Sequence, residues 1–187
     1  MSTQTTQSNI ANPGPLGLLG FGMTTVLLNL HNAGFIPLSI VIISMGFAVG
    51  GAAQIIAGIM EFKKGNTFAA TAFTAYGFFW WSLILIWINP FSGINAVDPM
   101  SLGYYLALWC IFTGFMFIAT LKHNRATQVV FGTLTILFLL LALANFTGIE
   151  SLHTLAGYVG IVCGLSAIYN AMGQIINAEY GKTIMPL

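Results

Sequence analysis

Nine formal charges cut this chain into long uncharged stretches. Histidine aside, no charged side chain occurs at residues 1–60, 65–97, 99–121, 126–149 or 151–178. A helix needs about 20 apolar residues, at about 1.5 Å rise each, to cross a bilayer. Each stretch supplies one such segment, and the first supplies two, separated by a break around Asn32, Gly34 and Pro37. The expected spans are residues 15–33, 37–61, 67–89, 100–121, 126–146 and 152–177. Open strands are excluded, because backbone polar groups in lipid must be satisfied within the segment itself. The expected fold class is an all-α integral membrane protein with six transmembrane helices per protomer. Residues 1–12 (MSTQTTQSNIAN) are polar and lack the basic start of a signal peptide. They are expected to form a disordered cytoplasmic tail, and 13–187 a single six-helix transmembrane domain.

Composition removes the other classes. Charged residues make up 5% of the chain, against about 25% in soluble domains. A chain that is 57% apolar cannot be disordered. A net charge of +1 from five scattered cations gives no basic face for nucleic acid. Cys110 and Cys163 lie in apolar runs and read as small core residues. No Cys/His cluster has metal-ligand spacing, so neither metal nor cofactor is expected.

The cations orient the spans. Lys63, Lys64, Lys122, Arg125 and Lys182 all fall in connections on one side, with Asp98 and Glu150 on the other. Basic connections stay cytoplasmic, which places both termini inside a multi-pass cell (plasma) membrane protein surrounded by lipid. Asn29, Asn89 and Asn145 recur near the ends of the three outward spans. This is either a repeated hairpin with Asn at equivalent depths or ordinary helix termination.

Small residues recur at packing spacing in Gly46-x-x-x-Gly50, Gly160-x-x-x-Gly164 and Ala167-x-x-x-Ala171, where helices can approach closely. Trp80, Trp81, Trp87 and Trp109 read as interface or packing aromatics. Polar groups retained within a span often line a solute path. Thr24, Asn29, Gln54, Thr71, Thr74, Asn145, Asn170 and Gln174 are the candidates. Threonine can instead bond to its own preceding turn, whereas Asn and Gln cannot satisfy themselves fully. A path lined by amides and hydroxyls, with no fixed cation, binds an anion weakly enough to release it. Abundant Phe, Leu and Tyr suit a short alkyl group. A small carboxylate meets both conditions; a metal ion, which wants clustered carboxylates, does not.

The amino-terminal run Asn12-Pro13-Gly14-Pro15-Leu16-Gly17-Leu18 leads into Gly20-Phe21-Gly22-Met23-Thr24-Thr25. Asn12 is placed to cap a helix and Pro to open its first turn. The free amides of that turn either receive an anion at the cytoplasmic mouth or simply begin an ordinary helix. Gly17, Gly20 and Gly22 each lower helix propensity by about 1 kcal/mol, which points to tight packing on this segment. Glu61 stands alone at a span end, one turn before Lys64. It either pairs with Lys63, Lys64 or Lys182 or carries a proton. His31, at the opposite end, is either a pH-responsive group at the mouth or part of a cap or loop.

These motifs resemble those of the acetate uptake transporter family, the succinate–acetate permeases. The match continues through Leu28-Asn29-Leu30-His31-Asn32, Gly51-Ala52-Ala53-Gln54-Ile55 and Glu61-Phe62-Lys63-Lys64-Gly65-Asn66-Thr67-Phe68. It ends at Ala167-Ile168-Tyr169 and Ala171-Met172-Gly173 and covers residues 10–187, with Gly14 where Ala is usual. The resemblance implies acetate transport, succinate in some members, and a hexamer with a pathway in each protomer. It leaves open a channel and a proton-coupled symporter. It places an apolar constriction on Phe21, Tyr76 and Leu134, ties Gln54 and Glu61 to activity, and ties Ala167 to substrate size. Asn12, Pro13, Gly17, Glu61, Asn66 and Thr67 then form the cytoplasmic mouth or coupling region. A non-transporting scaffold or sensor is the remoter reading. An enzyme is not expected, for the spans hold no nucleophile–base pair.

Overall fold

A computed structural model describes residues 10–91 and 93–187. The described residues form six long helical segments and no strand: α1 (Gly14–Asn32), α2 (Ile40–Lys63), α3 (Thr67–Ile88), α4 (Pro99–Thr120), α5 (Arg125–Thr147) and α6 (Glu150–Tyr180). Their bounds fall within a few residues of the expected spans. Five of them, α2 to α6, are long and apolar enough to cross a membrane. The 19-residue α1 carries four glycines together with Asn29, His31 and Asn32, which dilute its apolar content.

The helix ends follow local chemistry. Asn66, Asp98 and Asn124 cap α3, α4 and α5, their side chains accepting from Ala69, Ser101 and Thr127 main-chain N–H groups. Pro99 adds a preset first turn. At the far ends, Asn89, Gly148 and Gly181 adopt the left-handed conformation that stops a helix. At the start of α1 the cap position is Pro13, not the expected Asn12. Asn12 Oδ1 instead accepts the Gly14 N–H at 3.2 Å. Of the expected 1–12 tail, residues 1–9 lie outside the described residues.

The helices enclose a centre in ring order, and the joints differ in kind. α1 and α6 lie closest. A Cβ on Gly22 would stand 2.7 Å from the Gly164 carbonyl oxygen, and one on Gly160 would stand 2.1 Å from Asn29. α2 pairs with α3, and α5 with both α4 and α6. Between α3 and α4 the backbones stay apart, and Tyr76, Phe79, Tyr105, Trp109 and Phe112 fill the gap with ring contacts of 5.1–6.3 Å. The outside is apolar. α4 exposes Tyr104, Leu108, Ile111, Phe115 and Ile118 along one stripe, as expected of a surface facing lipid or another copy.

α2 is not a uniform α-helix. Gly46–Ala53 form a π segment, which Gly50-Gly51-Ala52-Ala53 can follow without side-chain crowding. Wider helical closure loosens the carbonyl ladder, and the indole of Trp81 donates to the Phe47 carbonyl at 2.9 Å. A Cβ on Gly51 would overlap that indole. The π segment ends at Gln54, so the change of winding sets the direction in which Gln54 projects.

Candidate functional site

Three cavities follow one another along the centre of the ring. The first, ≈ 140 Å³, lies at the end carrying the amino terminus of α1 and includes Asn12, Gly14, Glu61, Asn66, His123, Thr127 and Gln174. The second, ≈ 20 Å³, is lined by Leu18, Phe21, Gln54, Ala72, Phe73, Tyr76, Val130, Phe131 and Leu134. It shares Leu18, Ala72, Phe73 and Phe131 with the first, so the two are adjacent. The third, ≈ 150 Å³, lies one to two turns further on, between Leu28, Phe79, Leu83, Leu106 and Leu141, and holds His31, Asn32, Asn145 and His153. Phe79, on the wall of the far cavity, meets Phe138 edge-on with ring centroids 5.2 Å apart.

The middle cavity is a neck. About 10–15 Å³ suffices for one water, so this space has room for about one water with the rings in place. Phe21, Tyr76 and Leu134, expected as a constriction, all line it and are nearly inaccessible. Phe21 and Tyr76 meet with ring centroids 5.9 Å apart. The phenol hydroxyl is turned away from the neck. It lies 2.9 Å from Thr113 Oγ1, which itself donates to the Trp109 carbonyl, so the Tyr76 proton goes to Thr113. A hydroxyl engaged with Thr113 is not free to bond a solute in the neck.

Gln54 is the neck residue whose hydrogen-bonding groups are unengaged. Its side chain is fully buried at the neck, and neither amide atom has a hydrogen-bond partner among the described residues. A buried unsatisfied amide group costs about 1–3 kcal/mol. Tyr76 also lines the neck but its hydroxyl is engaged, which leaves Gln54 as the lining side chain with unpartnered polar atoms among the described residues.

The amino-terminal cavity sets polar side chains into a largely apolar wall. Glu61 is 1% exposed and sits 3.5 Å from Lys64 Nζ, with its Oε2 unpartnered. Lys64 also donates to Asn12 Oδ1 at 3.1 Å, and Asn12 Nδ2 donates to Gln174 Oε1 at 3.1 Å. Gln174 Nε2 in turn reaches Asn170 Oδ1, and Asn170 Nδ2 reaches Thr127 Oγ1. The chain of bonds ties α1, α2, α5 and α6 together around the opening. Asn66 lines this cavity and caps α3; Thr67, beside it, is exposed and does not. Pro13 is buried at the start of α1, and Gly17 packs flat on Phe73, where a Cβ would meet the ring at 2.6 Å.

Several expected pathway residues lie in helix seams rather than on a cavity wall. Thr24 donates to the Gly20 carbonyl and packs on Gly50 between α1 and α2. Asn29 donates to the Thr25 carbonyl, accepts from Asn32, and fills the notch at Gly160. Thr74 is wedged against Gly58, and Ala167 is fully buried. Thr71 is partly buried and lines none of the three cavities. Asn145 does line the far cavity, with Nδ2 on the Leu141 carbonyl at 2.8 Å. The recurring Asn positions are only partly equivalent: Asn29 and Asn145 bond back one turn, whereas Asn89 ends α3. The Glu61–Lys64 pair was one of the expected alternatives, whereas sequence reasoning missed Thr127 and His153, which reach the cavities from α5 and α6. Their spacing along the chain carries no signal of that placement.

Known proteins resemble this chain in sequence and fold. The succinate-acetate/proton symporter SatP of Escherichia coli (strain K12) is 52% identical over 181 residues, 96% of each chain. Ammonia transport outward protein 2 of Saccharomyces cerevisiae is 38% identical over 177 residues, 90% of this chain and 63% of its own. The solved structure of the bacterial acetate channel SatP superposes with a TM-score of 0.93 at 52% identity, covering 96% of this chain and 99% of that one. These relatives are transporters and channels, not enzymes. The model of the GPR1/FUN34/yaaH family matches residues 1–186, and the chain belongs to that family.

Proposed function

We propose that this protein carries acetate across the plasma membrane, each protomer providing its own channel-like pathway through the three cavities. The observation that carries the reading is the neck: an apolar ring of Phe21, Tyr76 and Leu134 with one unpartnered amide, Gln54, in its wall. Bulky apolar groups in so small a space exclude hydrated ions, which gain nothing from the wall. Acetate gains methyl contact with the rings and a hydrogen bond from Gln54. A bond from a neutral donor to a charged acceptor contributes about 1.5–3 kcal/mol net, enough to offset part of the lost hydration without trapping the solute. The phenyl and phenol rings must swing to admit it.

The same reading makes all six helices membrane spans within one unit, residues 13–187, with both termini cytoplasmic. Support for the orientation comes from the five cations, Lys63, Lys64, Lys122, Arg125 and Lys182, which lie in or beside the connections at one end. The amino-terminal cavity is then the cytoplasmic mouth, with Asn12, Pro13, Gly17, Glu61, Asn66 and Thr67 on or beside it, and Asn170 and Gln174 behind. The exposed apolar stripe on α4 and the apolar outer faces of the other helices fit a homo-oligomer, a hexamer by family resemblance, in lipid. Succinate and other small carboxylates are candidate second substrates.

Proton-coupled symport is the second reading, favoured by one observation: Glu61 is buried beside the mouth with an unpartnered oxygen. Uptake of labelled acetate into proteoliposomes tests the main reading, with empty vesicles subtracted for free acid crossing lipid. Uptake no greater than in empty vesicles would sink it. Uphill accumulation driven by a pH gradient at fixed acetate, beyond that background, would select symport.

A further inference from the structure

The far cavity holds two imidazoles for which the transport reading has no use. His31, in the last turn of α1, and His153, in the first turn of α6, line the same cup, with Asn32, Asn145 and Trp87 among an otherwise apolar wall. His153 lies against the Asn32 main chain and within Coulombic range of His31. Among the described residues lining the cup, these are the titratable groups: α2 contributes no charged side chain, and α3, α4 and α5 contribute none. The nearest acids are outside it. Glu150 is exposed three positions before His153, and exposed Asp98 is engaged with Ser101.

His31 is held in one orientation. Its Nδ1 lies 3.1 Å from the Ile36 carbonyl oxygen, an acceptor only, so Nδ1 carries the hydrogen in every protonation state. Nε2 makes no hydrogen bond among the described residues. In the neutral ring Nε2 is a lone-pair acceptor and repels a carboxylate; in the imidazolium it is a charged donor. A carboxylate at Nε2 of His31 therefore receives a hydrogen bond only from the protonated ring. The proton comes from water on that side and sits on Nε2, within a hydrogen bond to the bound oxygen. His153 places a second imidazole on the same cavity wall.

We infer that His31 and His153 form a proton-linked carboxylate-binding site at the mouth opposite the amino terminus, where a monocarboxylate docks before reaching the neck. The inference rests on the acetate-transport reading for its role, but binding is testable without transport. The first experiment uses the wild-type protein in nanodiscs with ¹⁵N-labelled histidine. The rings are titrated by NMR in potassium acetate and in potassium chloride of equal ionic strength, with His31 assigned from the resonance lost in His31→Gln. Binding of acetate to the protonated ring raises the apparent pKa of His31 in acetate by about one unit, equal to about tenfold tighter binding of the charged form. Identical titrations in the two salts overturn the site. The second experiment measures KM for acetate supplied from that side of proteoliposomes. Wild type shows a KM that falls as the pH on that side falls, and His31→Gln loses this dependence. A variant that keeps the wild-type pH dependence of KM also overturns the site. Absence of acetate flux in wild type would sink the transport reading instead, leaving the NMR titration to decide the binding site.

Discussion

α1 meets α6 and α3 meets α4 by opposite means. At the α1–α6 seam, glycines bring two backbones into contact, and Gly22 and Gly164 each leave no room for a single added carbon. At the α3–α4 joint the backbones stay apart and five aromatic side chains fill the space. Backbone contact cannot be adjusted without moving a whole helix, whereas rings re-pack by rotating about single bonds. The cavity chain runs between these two walls. One wall is fixed and one can give, and Tyr76, a neck residue, belongs to the one that can give.

The largest expected effect lies on the rigid wall. Gly164→Val pushes a branched side chain into the Gly22 carbonyl and Val26, and should abolish assembly of the protein, read as loss of a monodisperse peak in detergent. A well-folded variant would show that the seam is not rigid. Next is the amide between the walls. Gln54→Leu should lower acetate flux about tenfold to a hundredfold, the loss of a hydrogen bond to a charged solute. It should also raise thermal stability, since it removes a buried unsatisfied group. Flux and stability falling together would make Gln54 structural. Leu134→Ala should cost about 2–5 kcal/mol of stability and widen the neck enough for lactate or succinate to compete with acetate. Unchanged selectivity would place the filter elsewhere.

Smaller effects test the adjustable wall and its surroundings. Tyr76→Phe removes a hydroxyl already committed to Thr113, so acetate flux should change less than about threefold, within the value of one neutral hydrogen bond. A collapse of flux would make the phenol a solute donor. Asp98 gives the smallest signal. Bonds from Ser101 hold its carboxyl below the usual carboxylate range. A depressed carboxyl stabilises the fold above its ordinary pKa, and that contribution disappears as pH falls through the depressed value. Asp98→Ala should therefore lower the melting temperature near neutral pH and match wild type in strong acid. A difference that persists in acid would mean that Asp98 acts by something other than its charge.

The helices were legible because lipid allows few alternatives: charge-free runs of the right length must be helical, and their ends carry Asn, Asp, Pro and Gly with known roles. The small-residue motifs were legible too, and Gly160 and Gly164 lie in the tightest seam. What sequence could not separate was a polar residue lining a path from one spent on packing. Thr24, Asn29 and Thr74 read like pathway residues, yet each bonds or wedges between neighbouring helices. In lipid both uses place the same residue type at the same depth. The neck positions Phe21 and Leu134 are indistinguishable from core residues by composition, and only resemblance singled them out. Contacts such as Tyr76 with Thr113, or His31 beside His153, join residues 37 and 122 positions apart, beyond the reach of any local pattern.

The central claim, that solute passes through the neck, is tested most directly by acetate counterflow in proteoliposomes carrying Leu134→Trp. The indole would occupy the ≈ 20 Å³ that remains between Phe21, Tyr76 and Gln54. Counterflow should fall to the level of empty vesicles while the variant still melts cooperatively. Counterflow at the wild-type rate through that folded variant would mean that acetate takes another route.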